Sequence, residues 1–116
     1  PQRYRSVSAF SPICSPSNCP WGIKALSNYI GDDENAWKAH DSVELVRIAE
    51  RHLPVLVDQG EADEFLAEQL KTDLLEQVSA EAGYPMSIRR QPGYNHSYFF
   101  IATFIADHIE FHSRYV

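Results

Sequence analysis

With 116 residues, 44% of them hydrophobic and 22% charged, the chain has the make-up of one globular domain and is too apolar to be disordered. Ten Lys and Arg against sixteen Asp and Glu leave a net charge of −6, the wrong sign for a nucleic-acid-binding domain or for attraction to an anionic membrane. No apolar run reaches the ~20 residues of a spanning helix, and no basic stretch followed by an apolar one marks the N-terminus.

Tyr4 to Ser11 interleaves Val7, Ala9 and Phe10 with polar residues and runs into Pro12, the pattern of a strand entering a loop. Pro12, Pro16 and Pro20 punctuate the next stretch, which holds Cys14 and Cys19. Their C-x4-C spacing is wider than a zinc knuckle and no second pair follows, so two loop thiols are expected rather than a metal site or a disulfide. Ile23, Leu26 and Tyr29 share a face of a short helix over 22–29, with Gly31 as its stop. Asp32 to Glu34 reads as a solvated turn leading into a helix that contains Trp37. Asp41 to Glu44 forms a capping box for a helix expected to run to about His52 and to bury Val43, Leu45, Val46 and Ile48.

Val55-Leu56-Val57 is a bare apolar run before Asp58-Gln59-Gly60 and fits a strand covered on both faces, as in a parallel sheet. Leu66, Leu70, Leu74 and Val78 at i+4 steps predict one long helix over 64–82, with Gly83 beyond its end. Residues 86–91 form a third strand candidate, broken by Pro92-Gly93. The last helix, over 97–114, is expected to bury Phe100, Ile101, Phe104, Ile105 and Ile109. This order implies an α/β fold of three parallel strands joined by right-handed crossover helices.

Chemistry in such sheets collects beyond the carboxyl ends of the strands, here the loops after Phe10, Val57 and Gln91. The second loop carries Asp58, Glu61, Asp63 and Glu64, and the third carries Tyr94-Asn95-His96-Ser97. An acid beyond one strand and a histidine beyond the next suits a nucleophilic triad, in which the acid fixes the imidazole so that its other nitrogen takes a proton from serine. Plain structural roles are open too: Asp63 as a helix cap, Asp58 as a turn stabiliser with Gly60, His96 as a loop histidine. Spacing does not choose among Asp58, Glu61 and Asp63. His108 and His112 share a helical face, but Ile109 stands where the metalloprotease pattern needs Glu, so they read as end-of-helix histidines and no metal site is expected. Trp21 and Trp37 read as core or rim anchors, and Lys24 as either an exposed lysine or a contact for an anionic group. No G-x-S-x-G occurs; Ser11 runs into Pro12, and Ser97 adjoins His96 in poor geometry for attack.

Phe10-Ser11-Pro12-Ile13, Pro20-Trp21-Gly22-Ile23-Lys24-Ala25 and Asn28-Tyr29-Ile30-Gly31 resemble the esterase D family of α/β-hydrolases, the S-formylglutathione hydrolases. Leu56-Val57-Asp58-Gln59-Gly60, with Asp63 and Phe65-Leu66, and the run from Gln91 to Ala102 carry the same resemblance, which covers the whole chain. It implies a cytoplasmic serine esterase that hydrolyses S-formylglutathione to formate and glutathione in formaldehyde detoxification, acts also on small esters, and uses no cofactor and no metal. The acid of the family's D-Q-G-x-x-D-x-F motif falls on Asp63, and the histidine of its Y-D-H-S-Y motif on His96. Asn95 stands where the family usually has Asp, which should make protonated His96 slightly less favoured. The family's serine, in a G-H-S-M-G elbow, has no counterpart here.

The resemblance therefore implies that residues 1–116 are the C-terminal segment of a single α/β-hydrolase domain. The nucleophile would lie upstream of Pro1, and the segment alone would be inactive. Trp21 and Lys24, near a rim formed by the first loop, are the expected substrate contacts. A related carboxylesterase with another acyl preference, or an inactive fragment, are the alternatives. The first strand would pair with the N-terminal part of the fold, and its bare edge predicts self-association, a homodimer included. No nucleic-acid or membrane partner is expected.

Overall fold

The computed structural model describes residues 3–116 and shows an α/β fold built on one three-stranded parallel sheet in the order β1–β2–β3. Its strands are β1 (Val7–Phe10), β2 (Val55–Gly60) and β3 (Ser87–Gln91), three parallel strands as the sequence predicts, with β2 longer than expected. Its α-helices are α1 (Pro20–Tyr29), α2 (Glu34–Trp37), α3 (Ser42–Ile48), α4 (Thr72–Glu81) and α5 (Tyr98–Ser113). The described residues group into two units. One comprises residues 3–12, Arg51–Glu64 and Pro85–Val116, the other Ile13–Glu50 and Phe65–Tyr84.

The first unit holds the sheet and α5. Central β2 is buried from Leu56 to Gly60, with Leu56 and Val57 in the core as their apolar run predicts. The strand continues through Asp58, Gln59 and Gly60, where the sequence predicts a loop. A carboxylate in a buried strand is costly unless it is paired and hydrogen-bonded. The register supplies the partners, because Asp58 lies beside Arg89 and Gly60 beside Gln91. On β1, Ser8 and Phe10 share a side by the alternation of a strand. The Ser8 hydroxyl is 2.9 Å from Nε2 of His112, and Ser6, just before the strand, is 2.7 Å from its Nδ1.

The buried stripe of α5 runs through Phe100 and His108, with Phe104 half-buried between them. Ile105 and Ile109, expected inside, are 42% and 65% exposed. The aromatic ladder decides the choice. Phe100 and Phe104 pack on each other and on Tyr94, and the i+4 continuation of that row is His108, whose burial Asp58 makes tolerable.

The second unit contains α1 to α4. Helix α1 begins at Pro20, with the Cys19 thiol accepting from the Gly22 N–H; Cys14 and Cys19 are both buried thiols. Asp41 caps α3 as read, its Oδ1 accepting from the Val43 and Glu44 N–H groups at 3.0 and 3.2 Å. Its Oδ2 accepts from the Ser15 hydroxyl, and from the N–H and hydroxyl of Ser17. The helix stops at Ile48 rather than His52. Only Val43 and Val46 are buried, Leu45 and Ile48 are exposed, and the next turn of the buried face falls on Ala49 and Glu50, where the apolar stripe ends.

The long helix over 64–82 is a correction as well. Leu66–Leu70 forms a π-helical segment, Lys71 takes a left-handed φ of 55°, and α4 starts afresh at Thr72. The carbonyl of Leu70 accepts from Cys14 N at 2.9 Å, a tertiary partner in place of the helical one. Leu74, which would have bonded Leu70, bonds Lys71 O instead. Leu70, Leu75 and Val78 are buried, and Gly83 at φ 65° ends α4 as expected, with Tyr84 N bonded back to Ser79 O.

Candidate active site

Two loops leave the carboxyl ends of neighbouring parallel strands, and main-chain hydrogen bonds tie them together. After β2, Glu61 N donates to Gln91 O and Ala62 N to Tyr94 O, each at 3.0 Å. Gly60 makes the approach possible, since a Cβ there would stand 2.2 Å from the Tyr94 carbonyl oxygen. After β3, Gly93 turns the chain with φ 82°, and Ser97 caps α5 by accepting from Phe100 N.

This bracing brings Asp63 and His96 together. His96 Nδ1 is 2.8 Å from Asp63 Oδ2, and the same oxygen accepts from Gln59 Nε2 at 3.2 Å. The carboxylate has no exposed surface, whereas the histidine side chain is 40% exposed. A carboxylate acceptor at Nδ1 fixes the tautomer, so the neutral ring carries its proton on Nδ1 and offers a lone pair at Nε2. His96 also lines a cavity of about 540 Å³ with Phe10, Ser11, Ser97, Tyr98 and Ile101. Ser11 is held there at a left-handed φ of 49°, its N–H bonded to Asp58 O at 3.0 Å. Backbone strain of this kind persists where the surroundings over-determine it, often at functional sites.

The long helix that Asp63 was open to cap does not form, and the N-cap position of the Leu66–Leu70 segment falls on Phe65. Asp58 is not a turn residue. Its buried carboxylate accepts from Arg89 Nε and Nη2 at 2.7 and 2.5 Å, Gln91 Nε2 at 3.0 Å and His108 Nε2 at 2.7 Å. Burial pushes its pKa upward, but these hydrogen bonds and the Arg89 charge outweigh that and hold the carboxyl below its ordinary value. The hydrogen bond to Asp58 in turn raises Arg89, which burial opposes and Asp107, at 3.1 Å, reinforces.

Of the two histidines expected at the helix end, His112 lies in the last turn of α5, within hydrogen-bond distance of the Ser6 and Ser8 hydroxyls, whereas His108 is buried and bound to Asp58. The available signal is a pair of arginines, Arg89 and Arg90, in one strand candidate and an aspartate, Asp58, directly after another. Asn95 is exposed, and its carbonyl accepts from Ser97 N at 3.1 Å.

Trp21 and Lys24 belong to the second unit, where they line a shallow cavity of about 440 Å³ along α1 with Ala25, Asn28 and Tyr29. Trp21 is 43% exposed and its ring packs on Phe65, while its main-chain N–H donates to Gln69 Oε1. Trp37 is buried and donates its indole N–H to Gly31 O. Among the described residues, no group of three His, Cys, Asp or Glu side chains could hold a metal ion, and no helix is long and apolar enough to cross a membrane.

Residues 1–111 match a family described as "Putative esterase". The S-formylglutathione hydrolase of Mus musculus is 51% identical over 118 residues, an alignment that takes in 100% of this chain and 42% of the mouse protein. The structure superposes on an S-formylglutathione hydrolase from Agrobacterium tumefaciens with a TM-score of 0.93 at 39% identity, over 99% of this chain and 42% of that one. Dipeptidyl peptidase 4 of Porphyromonas gingivalis, at 16% identity and a TM-score of 0.63 over 97% of this chain, shares the fold alone. The chain thus spans less than half the length of the hydrolases it matches.

Proposed function

The chain belongs to this esterase family, and from that premise we propose that it supplies the acid and the base of a serine esterase that hydrolyses S-formylglutathione to formate and glutathione. The observation that carries the reading is the 2.8 Å hydrogen bond from His96 Nδ1 to buried Asp63, with the imidazole on the edge of a cavity. The nucleophile is proposed to lie outside residues 1–116, since no G-x-S-x-G is present and the hydrolases it matches are more than twice as long. On this reading the 116 residues are the C-terminal segment of one hydrolase domain and are inactive alone.

The chemistry is acyl transfer. His96 Nε2 takes the serine proton as the serine oxygen attacks the formyl carbonyl, and Asp63 steadies the imidazolium. Collapse of the tetrahedral intermediate breaks the C–S bond. The departing thiolate receives the proton from His96 and leaves as glutathione, with the formyl group on serine. Water then attacks that ester, His96 accepts its proton and returns it to the serine oxygen, and formate leaves.

Trp21 and Lys24 are proposed to meet the substrate through the exposed face of α1, where the Lys24 ammonium suits a glutathione carboxylate. A glutathione thioester belongs where reduced glutathione is plentiful, which favours the cytoplasm and a role in formaldehyde detoxification. The family match alone also suits a carboxylesterase of different acyl preference. Turnover of S-formylglutathione against acetate esters by the full-length protein separates the two. In either case His96→Ala should abolish turnover without unfolding, and an alanine variant as active as the parent would refute the catalytic assignment.

A further inference from the structure

A second Asp–His pair lies in the same unit as the first. His108 Nε2 is 2.7 Å from Asp58 Oδ2, and both side chains are almost completely buried. Asp58 does not need this histidine for its charge, since the Arg89 fork reaches both oxygens and Gln91 adds a further donor. Nor is the imidazole a good filler. Its Nδ1 is buried and, among the described residues, has no hydrogen-bond partner, a cost that Phe or Leu would not carry. What the bond to Asp58 does is fix the plane of the ring.

That plane lies against Phe10, with ring centroids 3.9 Å apart and the planes inclined by 20°. Phe100 meets the Phe10 ring edge-on at 5.7 Å and 89°. Phe10 and Ser11 both line the cavity that His96 lines, and the Ser11 N–H is bonded to the Asp58 carbonyl. Asp58 thus anchors this wall twice, through its main chain at Ser11 and through His108 at Phe10.

From this geometry we infer that Asp58 and His108 form a positioning pair for the His96 cavity, holding the Phe10 ring as a rigid wall that limits the size of the acyl group admitted. The inference rests on the reading of His96 as the catalytic base. His108 touches no reacting atom; it acts through Phe10.

The test is hydrolysis of p-nitrophenyl acetate and butanoate by the full-length protein. His108→Gln keeps an N–H for Asp58 but has no ring. It should raise KM for acetate more than it lowers kcat, and shift the butanoate-to-acetate ratio of kcat/KM upward by about fivefold or more, within the range a pocket wall commands. Phe10→Leu, which leaves the Asp58–His108 pair intact, should move the ratio in the same direction, and keeps the test open if His108→Gln does not fold. The double variant should go no further than the larger single effect, because both act on one wall.

A ratio unchanged in both single variants, even with a lowered Tm, would show the pair to be structural only and overturn the inference, as would additive effects. His96→Ala is assayed alongside. If it hydrolyses both esters as fast as the parent, the catalytic reading falls and takes this inference with it. An unchanged ratio in an enzyme that does need His96 overturns the inference alone.

Discussion

His96 Nδ1 and Asp63 Oδ2 stand 2.8 Å apart although 33 positions separate the residues in the chain. Neighbouring parallel strands deliver them to the same end of the sheet, and the main-chain bonds from Glu61 and Ala62 to Gln91 and Tyr94 hold the two loops together.

Asp63→Asn offers Nδ1 an amide in place of a carboxylate, so the imidazole is no longer held in the tautomer that leaves Nε2 basic. In the full-length protein kcat should fall by about 10³–10⁴-fold with the fold retained. Steady-state kinetics beside a circular-dichroism melt measures it, and a loss below tenfold would mean that the carboxylate does not serve His96.

Gly60→Ala places a methyl group 2.2 Å from the Tyr94 carbonyl oxygen, and the atom it meets is backbone. The two loops must separate. A cost of about 1–3 kcal/mol in stability is expected. Loss of loop register should lower kcat by about 10²-fold, since a misplacement near 1 Å has that effect. Normal kinetics in this variant would show that the bracing does not set the Asp63–His96 geometry.

Asp58 gives a pH dependence whose sign is fixed. Its folded pKa lies below the ordinary value of 3.8, so its contribution to stability is present above that value and is lost as pH falls through the folded pKa. Asp58→Asn should therefore be less stable than the parent at neutral pH, and the gap should narrow as pH is lowered below 3.8. Urea midpoints measured from neutral to acid pH test this; a gap independent of pH would contradict it.

Asp41→Ala removes the cap of α3 together with acceptors for Ser15 and Ser17. A loss of about 2–4 kcal/mol is expected from the missing cap and the stranded hydroxyls. The denaturant midpoint should fall with an unchanged m-value.

The parallel α/β topology was legible because each strand had a local mark: the alternation before Pro12, the bare run Val55–Val57, and the break at Pro92-Gly93. Asp63 and His96 were legible as a pair only after strand order placed their loops together, and the choice of Asp63 over Asp58 and Glu61 came from the family resemblance. What stayed hidden depends on contacts distant in the chain. The i+4 leucines promised one helix, but Cys14 takes the Leu70 carbonyl and the chain breaks at Lys71. Asp58 looked like a turn residue because Arg89 and His108, which make its burial tolerable, come 31 and 50 residues later. Hydrophobic periodicity on α5 pointed to Ile105 and Ile109, and it missed a histidine whose place in the core depends on that aspartate.

The central claim, that His96 serves a serine lying beyond these 116 residues, is tested most directly by labelling the full-length protein with a fluorophosphonate and mapping the adduct by mass spectrometry. The account predicts one modified serine outside residues 1–116, labelled far more slowly in His96→Ala. An adduct on Ser11, Ser97 or any other residue within the chain, or labelling that proceeds equally fast without His96, would contradict it.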